Sequence, residues 1–182
     1  PDFAEIKELD RYQYPPDGGN EKLLPFFLWR VSAGHIYIAN EERGYEILDY
    51  DLDGALRRRI RKEYRPAAPS REIKRAILGP AADQPGVARY LPDPMPPIAA
   101  LFTNDEGRLF VMTYAPGDRR GEFVWDIFDA DGVFAGRKSL DIDWLGLRYG
   151  SQYALMKDGR FYSRREKESG YYKYSVQTVI WR

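Results

Sequence analysis

Cysteine is absent from this 182-residue chain, and histidine occurs only once, as His35. Without cysteine, the chain can form neither disulfides nor thiolate metal sites, and it has no thiol nucleophile. The absence suits the cytosol and a periplasm equally well, so it does not indicate a compartment. A single histidine excludes any site within the chain that needs two imidazoles.

A charge excess of one sign and a long apolar run are missing as well. The chain has 28 Lys and Arg residues against 28 Asp and Glu residues, which gives a formal net charge of zero. A neutral chain has no overall attraction to nucleic acid or to an anionic membrane. Its apolar runs are shorter than the roughly 18 residues of a membrane-spanning helix. We therefore expect neither a nucleic-acid partner nor a membrane span.

The sequence begins at Pro1, without an initiating methionine and without the pattern of a signal peptide. We therefore expect that residue 1 is not the native translation start, and that either a leader has been removed or the sequence is partial. No glycine-rich phosphate loop precedes a helical segment, so the sequence predicts no nucleotide cofactor.

What the chain does contain is a repeat. Gly34, Gly107 and Gly159 each open a short strand-like run, and a second glycine and a second strand follow each run. In the first two repeats the second strand ends in an aromatic-Asp-x-Asp-Gly turn, at residues 50–54 and 128–132. Repetition of this kind indicates stacked copies of one supersecondary unit.

Each repeat is predicted to be a set of antiparallel strands, four in the first two repeats and three in the last. The predicted strands are residues 25–33, 35–41, 45–50 and 55–64, then 98–103, 108–114, 122–128 and 133–142, and finally 152–156, 160–165 and 171–180. Residues 109–112 and 123–128 are apolar on both faces, whereas a sheet with one wet face would alternate. Sheets stacked face to face are therefore expected, with the charged strand at residues 55–64 on an outer edge.

An insert, residues 65–97, separates the first two repeats. Within it, Ser70 is suited to cap a short helix over residues 71–78, and Gly79 followed by proline would end that helix. The proline-rich run at residues 92–97 favours an extended linker. Because loops on a rigid scaffold commonly carry function, the insert is a candidate contact region.

The prefix, residues 1–24, has two interpretations. Phe3, Ile6 and Leu9 lie at helical spacing, but the same residues could equally belong to the outer strand of a preceding repeat. Further along, aromatic residues fall on predicted strand positions and are expected to form the core between repeats: Phe26, Phe27, Trp29, Phe110, Trp125 and Phe128.

The order of glycines, strands and aromatic-Asp-x-Asp-Gly turns resembles NHL-type and related bacterial six-bladed β-propellers over residues 25–182. The resemblance implies an all-β fold of four-stranded antiparallel blades at residues 25–64, 98–142 and 143–182, the last blade lacking its outer strand. In this family the N-terminal end of the chain often supplies that strand. Exported bacterial relatives are common, which implies a periplasmic or extracellular location.

A closed propeller needs about 4–8 blades, and the sequence contains three. The resemblance therefore implies that the chain is the C-terminal half of a six-bladed ring. The other half would be a protein partner or a second copy of the chain.

One motif has the beginnings of a calcium loop. Asp49, Asp51 and Asp53 alternate and are followed by glycine, as in the first half of such a loop. A calcium loop also needs a bidentate glutamate at its twelfth position, and here that position is Ile60. Because aspartate and glycine are equally the residues of a tight hairpin, we interpret the motif as a turn.

The remaining candidates also favour structural roles, and no residue is assigned as catalytic, cofactor-binding or metal-binding. His35 is expected to be solvated, because it opens a strand at the position where the other repeats carry arginine. No nucleophile elbow supports a serine hydrolase. The basic run at residues 57–62 alternates as an edge strand does. Tyr171, Tyr172 and Tyr174 face whatever completes the last blade, so an interface would begin there.

Three functions follow as hypotheses. The first is a non-enzymatic propeller scaffold that recognises a protein or another macromolecule through a rim or through the insert. The second, implied by the resemblance, is a lactonase or hydrolase with a metal in the central channel. A calcium-dependent shift in stability would support this hypothesis. The third is a structural subunit whose open edges pair with another chain or a second copy.

Overall fold

Three antiparallel sheets and one short α-helix form the protein, whose computed structural model describes residues 6–12, 27–66, 68–86, 91–142, 154–166 and 170–178. The strands are β1 (Phe27–Ser32), β2 (His35–Asn40), β3 (Glu46–Asp51) and β4 (Leu56–Arg61) in sheet A, β5 (Ala100–Thr103), β6 (Leu109–Pro116), β7 (Phe123–Phe128) and β8 (Phe134–Leu140) in sheet B, and β9 (Ala154–Lys157), β10 (Arg160–Glu166) and β11 (Tyr172–Thr178) in sheet C. The prediction of a β-rich fold built from antiparallel sheets is confirmed.

Each sheet is a meander in which consecutive strands are neighbours. The strand order is β1-β2-β3-β4 in sheet A, β5-β6-β7-β8 in sheet B and β9-β10-β11 in sheet C. Sheet C therefore has three strands within the described residues, in agreement with the short third repeat of the sequence. Strands β4 and β8 lie at sheet edges, and most of their side chains are exposed, as the charged sequence of β4 predicted.

Sheet B lies between the other two sheets and is buried on both faces. On β6, Leu109 and Val111 pack into a cluster with residues of sheet A, whereas Phe110 and Met112 pack into a cluster with residues of sheet C. Successive strand residues point to opposite faces, so this alternation requires a packed layer over each face of sheet B. The apolar character of β6 on both faces is thus explained by stacking.

The two clusters are rich in aromatic side chains. Phe102 stacks on Phe110 with ring centroids 4.7 Å apart, and Trp125 meets the edge of the Phe102 ring at 5.4 Å. On the other face, Phe128 lies beside Tyr45 of sheet A. Such pairs contribute beyond the area they bury, by about 0.5–1.5 kcal/mol each.

The first strands of the three sheets lie next to one another. Strand β5 is the edge strand of sheet B, yet all four of its residues are buried. Strand β1 of sheet A lies beside it, and the side chains of β5 pack into the clusters on both faces of sheet B. Asn104, directly after β5, forms a parallel bridge with Met156 of β9. The three sheets therefore share one side at which β1, β5 and β9 converge.

The helix α1 (Arg71–Leu78) forms where the sequence predicted it. The backbone N–H of Ile73 donates to Ser70 Oγ at 3.2 Å, and Gly79 ends the helix at a positive φ of 57°. Ile73 is fully buried against the core of sheet B. Among the described residues, no helix combines the length and the apolar character of a membrane crossing.

Residues 6–12 form neither a helix nor a strand, so neither interpretation of the prefix holds for these seven residues. The carbonyl oxygen of Leu9 accepts from Tyr50 Oη at 2.7 Å, and that of Arg11 accepts from Asn40 Nδ2 at 3.0 Å. Side chains of sheet A thus take the place of the intrahelical bonds that a helix would need. Residues 1–5, including Phe3, lie outside the described residues.

The same segment bears on the expected completion of the third sheet. Leu9 packs against Ile38 and Leu48 on the face of sheet A that points away from sheet B. Asp10 pairs with Arg43 beside the same face. Residues 6–12 therefore pack on the outward face of sheet A. The propeller resemblance had suggested that the N-terminal end adds a strand beside β11, and among the described residues it does not.

Candidate functional site

The two aromatic-Asp-x-Asp-Gly motifs form matching hairpin turns. Asp51 Oδ1 accepts from the backbone N–H of Ala55 at 2.7 Å, and Asp129 Oδ1 accepts from that of Val133 at 2.9 Å. The glycine of the second turn, Gly132, has a φ of 75° and lies against Ile60 of sheet A. The aspartates therefore serve the turns, as the sequence interpretation held.

The calcium-loop and central-channel metal hypotheses need several ligands in one place. Within the part of the chain that the structure describes, no group of three or more His, Asp or Glu side chains comes close enough to hold a metal ion. Asp49, the first aspartate of the motif, is instead occupied by two cationic or polar neighbours. The described residues do not fit the metal that the propeller resemblance implied for some relatives.

Asp49 is buried in the contact between sheets A and B, where it binds His35 and Arg58. Nδ1 of His35 lies 2.7 Å from Asp49 Oδ1, and Arg58 Nε lies 3.0 Å from Oδ2. Arg57 approaches Nε2 of His35 at 3.3 Å. An arginine can only donate, so in this arrangement Nε2 accepts and Nδ1 carries the proton.

Tyr37 completes this group. Its ring stacks on the His35 ring with centroids 5.6 Å apart, and it stands directly opposite Asp49 across the two strands. Burial, together with the nearby Asp49 carboxylate, raises the pKa of Tyr37 to about 12. His35 is 18% exposed, so it is largely covered and not the solvated residue that the sequence interpretation expected.

A second buried carboxylate, Asp126 of β7, joins the same two sheets. Tyr45 Oη donates to Asp126 Oδ2 at 2.8 Å, while Lys62 Nζ and Arg137 Nε reach Oδ1 at 2.7 and 2.9 Å. Burial and the adjacent carboxylate raise the pKa of the Tyr45 hydroxyl. Tyr45 directly precedes β3 and Lys62 directly follows β4, so the contact links sheet A to sheet B.

The basic run at residues 57–62 is divided between the two faces of sheet A. Arg58 and Lys62 point towards sheet B, where they bind Asp49 and Asp126. On the opposite face, Glu46 of β3 binds two further arginines of β4, Arg59 and Arg61. Glu46 also lies near Arg43. Most of the positive charge of the run is thus paired, which favours the interpretation as a structural edge strand.

Glu46 makes a pH-dependent contribution to stability that can be measured. Burial opposes its ionisation, but hydrogen bonds and charges from Arg61 and Arg59 outweigh burial and hold the pKa of the carboxyl below its usual 4.5. A carboxyl with a depressed folded pKa stabilises the protein above its unfolded pKa, and this stabilisation is lost as the pH falls. The free energies of unfolding of the wild type and Glu46→Gln, measured with urea, should therefore differ most near neutral pH and converge below about pH 4.5. The exposed Glu63→Gln serves as control, and a pH-independent difference for Glu46→Gln would contradict this account.

The outward face of sheet A exposes apolar residues of β1. Leu28 belongs to the cluster with sheet B, so its neighbour Trp29 points to the opposite face, where it is 58% exposed. Val31 lies on the same face and is also exposed. We call Trp29 and Val31 end surface A. The sequence had placed Trp29 in the core, and that prediction is wrong within the described structure, because no further sheet covers this face.

The outward face of sheet C is exposed in the same way. Met156 packs towards sheet B, so its neighbour Leu155 points outwards. Val176 lies on the same outward face as Leu155, because both stand directly opposite Tyr162 in the sheet. Tyr174, two residues from Val176, is 75% exposed. We call the set end surface C, which consists of Leu155, Tyr172, Tyr174 and Val176. The predicted exposure of Tyr171, Tyr172 and Tyr174 is confirmed.

Comparison with known proteins adds no family to this description. No protein-family model matches the chain, and no curated protein sequence matches it significantly.

Proposed function

We propose that the chain provides three blades of a β-propeller and acts as a non-enzymatic scaffold for protein recognition, with a second copy completing the ring. The observation that carries this proposal is the convergence of β1, β5 and β9 on one side of three stacked meanders. In a propeller the first strand of every blade lines the central axis, and blades pack face to face around it. The NHL-type resemblance of the sequence supports the same arrangement.

The two end surfaces support an incomplete ring. In a closed propeller each blade is covered on both faces, as sheet B is here. On the outward face of sheet A, Leu9 covers Ile38 and Leu48 but leaves end surface A exposed, and the outward face of sheet C leaves end surface C exposed. Contiguous exposed apolar residues commonly mark protein contacts. End surface A and end surface C are the positions at which neighbouring blades would pack.

A second copy of the chain would supply both the number of blades and the symmetry that a closed ring needs. Three blades fall short of the roughly 4–8 that close a ring, and two copies supply six. A two-fold axis would place end surface A of each copy against end surface C of the other, so one contact, made twice, covers all four surfaces. The insert at residues 65–97 then lies on a rigid scaffold, where connecting segments commonly bind partners.

The proposal predicts the mass of the native protein and of two variants. The wild type is expected at twice the 21.2 kDa of one chain in size-exclusion chromatography with light scattering. Trp29→Asp and Tyr174→Asp each place a charge in a contact that excludes water, which should weaken association at least about a hundredfold, or 2.8 kcal/mol. Both variants should therefore elute as single chains.

Leu52→Asp is the matched control, because Leu52 is 64% exposed but lies in the turn between β3 and β4, outside both end surfaces. Its mass should equal that of the wild type. A wild type that remains a single chain over a wide range of concentrations would contradict the proposal, and so would equal effects of all three substitutions.

A further inference from the structure

A cleft between sheets A and B is not used by the proposed scaffold function. It has a volume of about 360 Å³ and lies beside the buried Asp126, where β3 begins and β4 ends. Three tyrosines, Tyr45, Tyr64 and Tyr114, line it together with Lys62 and Arg137. Its size is at the lower end of the range of small-molecule sites, about 300–1,000 Å³.

The polar groups of the cleft favour an anion over a cation. The Asp126 carboxylate already accepts from Tyr45 Oη, Lys62 Nζ and Arg137 Nε. With three donors in place, it is neutralised and is a poor ligand for an incoming cation. The charged side chains that line the cleft are Lys62, Arg65, Arg137, Glu63 and Asp126, which leaves an excess of one positive charge.

Arg137 has donors to spare. Its Nε binds Asp126, but its two terminal nitrogens have no partner among the described residues, and the side chain remains partly exposed. A guanidinium held at Nε presents its terminal nitrogens as a fixed pair, which matches the two oxygens of a carboxylate. Asp126 thus positions Arg137 for a ligand.

We infer that this cleft binds a small organic carboxylate that carries a flat ring, with the carboxylate on the terminal nitrogens of Arg137 and on Lys62 Nζ. The tyrosine rings supply flat apolar walls for the ring of the ligand. The cleft lies between two sheets of one chain, so the inference does not depend on whether a second copy completes the propeller.

The test uses benzoate as probe and benzamide as its neutral counterpart, each titrated into the full chain and followed by two-dimensional amide NMR. Benzoate should give saturable shifts at residues around the cleft, and benzamide should bind at least about tenfold more weakly, a difference of 1.4 kcal/mol. Arg137→Lys keeps the charge beside Asp126 but loses the paired terminal nitrogens, so it should also lower the affinity for benzoate about tenfold or more. Arg71→Gln, an exposed arginine at the start of α1, is the control and should bind as the wild type does.

Urea unfolding of Arg137→Lys checks that a loss of binding is not a loss of folding. Four results would overturn the inference: no saturable shift with benzoate, equal shifts with benzamide, unchanged binding by a folded Arg137→Lys, or inorganic phosphate binding at the same residues as tightly as benzoate. The last result would assign the cleft to inorganic anions and not to carboxylates.

Discussion

Leu109→Ala and Phe110→Ala are both expected to destabilise the protein strongly, although the two side chains point to opposite faces of β6. Leu109 packs towards sheet A and Phe110 towards sheet C, and both are almost completely buried. Removing a buried leucine typically costs about 2–5 kcal/mol and a buried phenylalanine about 3–5 kcal/mol, because a cavity remains. The free energy of unfolding, measured by urea denaturation, should fall by such amounts in each variant.

The pair of neighbours tests the stacking of the sheets. A sheet with one wet face would tolerate alanine at one of two adjacent positions. Leu52→Ala, in the exposed turn between β3 and β4, is the control and should change stability by no more than about 0.5 kcal/mol. If either Leu109→Ala or Phe110→Ala behaves like this control, sheet B is not covered on both faces.

Asp126→Ala is expected to have the second large effect. Removing one partner of a buried ion pair typically costs about 3–5 kcal/mol, because the other partner stays buried without compensation. Here the substitution leaves the buried Tyr45 hydroxyl and the largely covered Lys62 without their acceptor, whereas the exposed Arg137 remains open to water. The free energy of unfolding should fall by this amount, and the contact between sheets A and B should weaken.

Asp131→Ala is the matched control for Asp126→Ala. Asp131 lies in the exposed turn after β7, where its backbone N–H donates to Asp129 and its side chain makes no hydrogen bond among the described residues. Its substitution should therefore change the free energy of unfolding by about 0.5 kcal/mol or less. Adding Tyr45→Phe to Asp126→Ala should cost little more, since the two residues act through one hydrogen bond. Fully additive losses would show that Asp126 and Tyr45 contribute independently.

The strands and the helix were predictable because their signals are local. Glycines at positive φ, such as Gly34 and Gly107, open the hairpins, and the apolar residues of β6 and β7 mark a sheet that is buried on both faces. Ser70 and Gly79 delimit α1 as a cap and a stop should. These patterns reflect backbone geometry and side-chain periodicity, which a few neighbouring residues determine.

The polar contacts between sheets were not predictable in the same way. Tyr45 and Asp126 are 81 positions apart, and nothing in either local sequence indicates the other. His35 meets Asp49 only because of the register of β2 and β3. The conformation of residues 6–12 has a related cause, since Tyr50 and Asn40 donate hydrogen bonds to their backbone from strands far along the chain. Long-range pairing decided these features.

The pairing of end surface A with end surface C can be tested by cross-linking, which the absence of cysteine makes simple. Val31→Cys and Val176→Cys each introduce a single thiol on one exposed end surface. Packed sheets lie about 10 Å apart, which exceeds the reach of a disulfide but suits a short bismaleimide. In a dimer of either variant alone, each introduced thiol faces an end surface of the other copy that carries no thiol.

A mixture of the two variants should give a cross-linked species of twice 21.2 kDa on a denaturing gel, and neither variant alone should do so. Equal cross-linking of a single variant would mean that like surfaces meet. No cross-linked species in the mixture would mean that end surface A does not meet end surface C, and the two-copy propeller would be wrong.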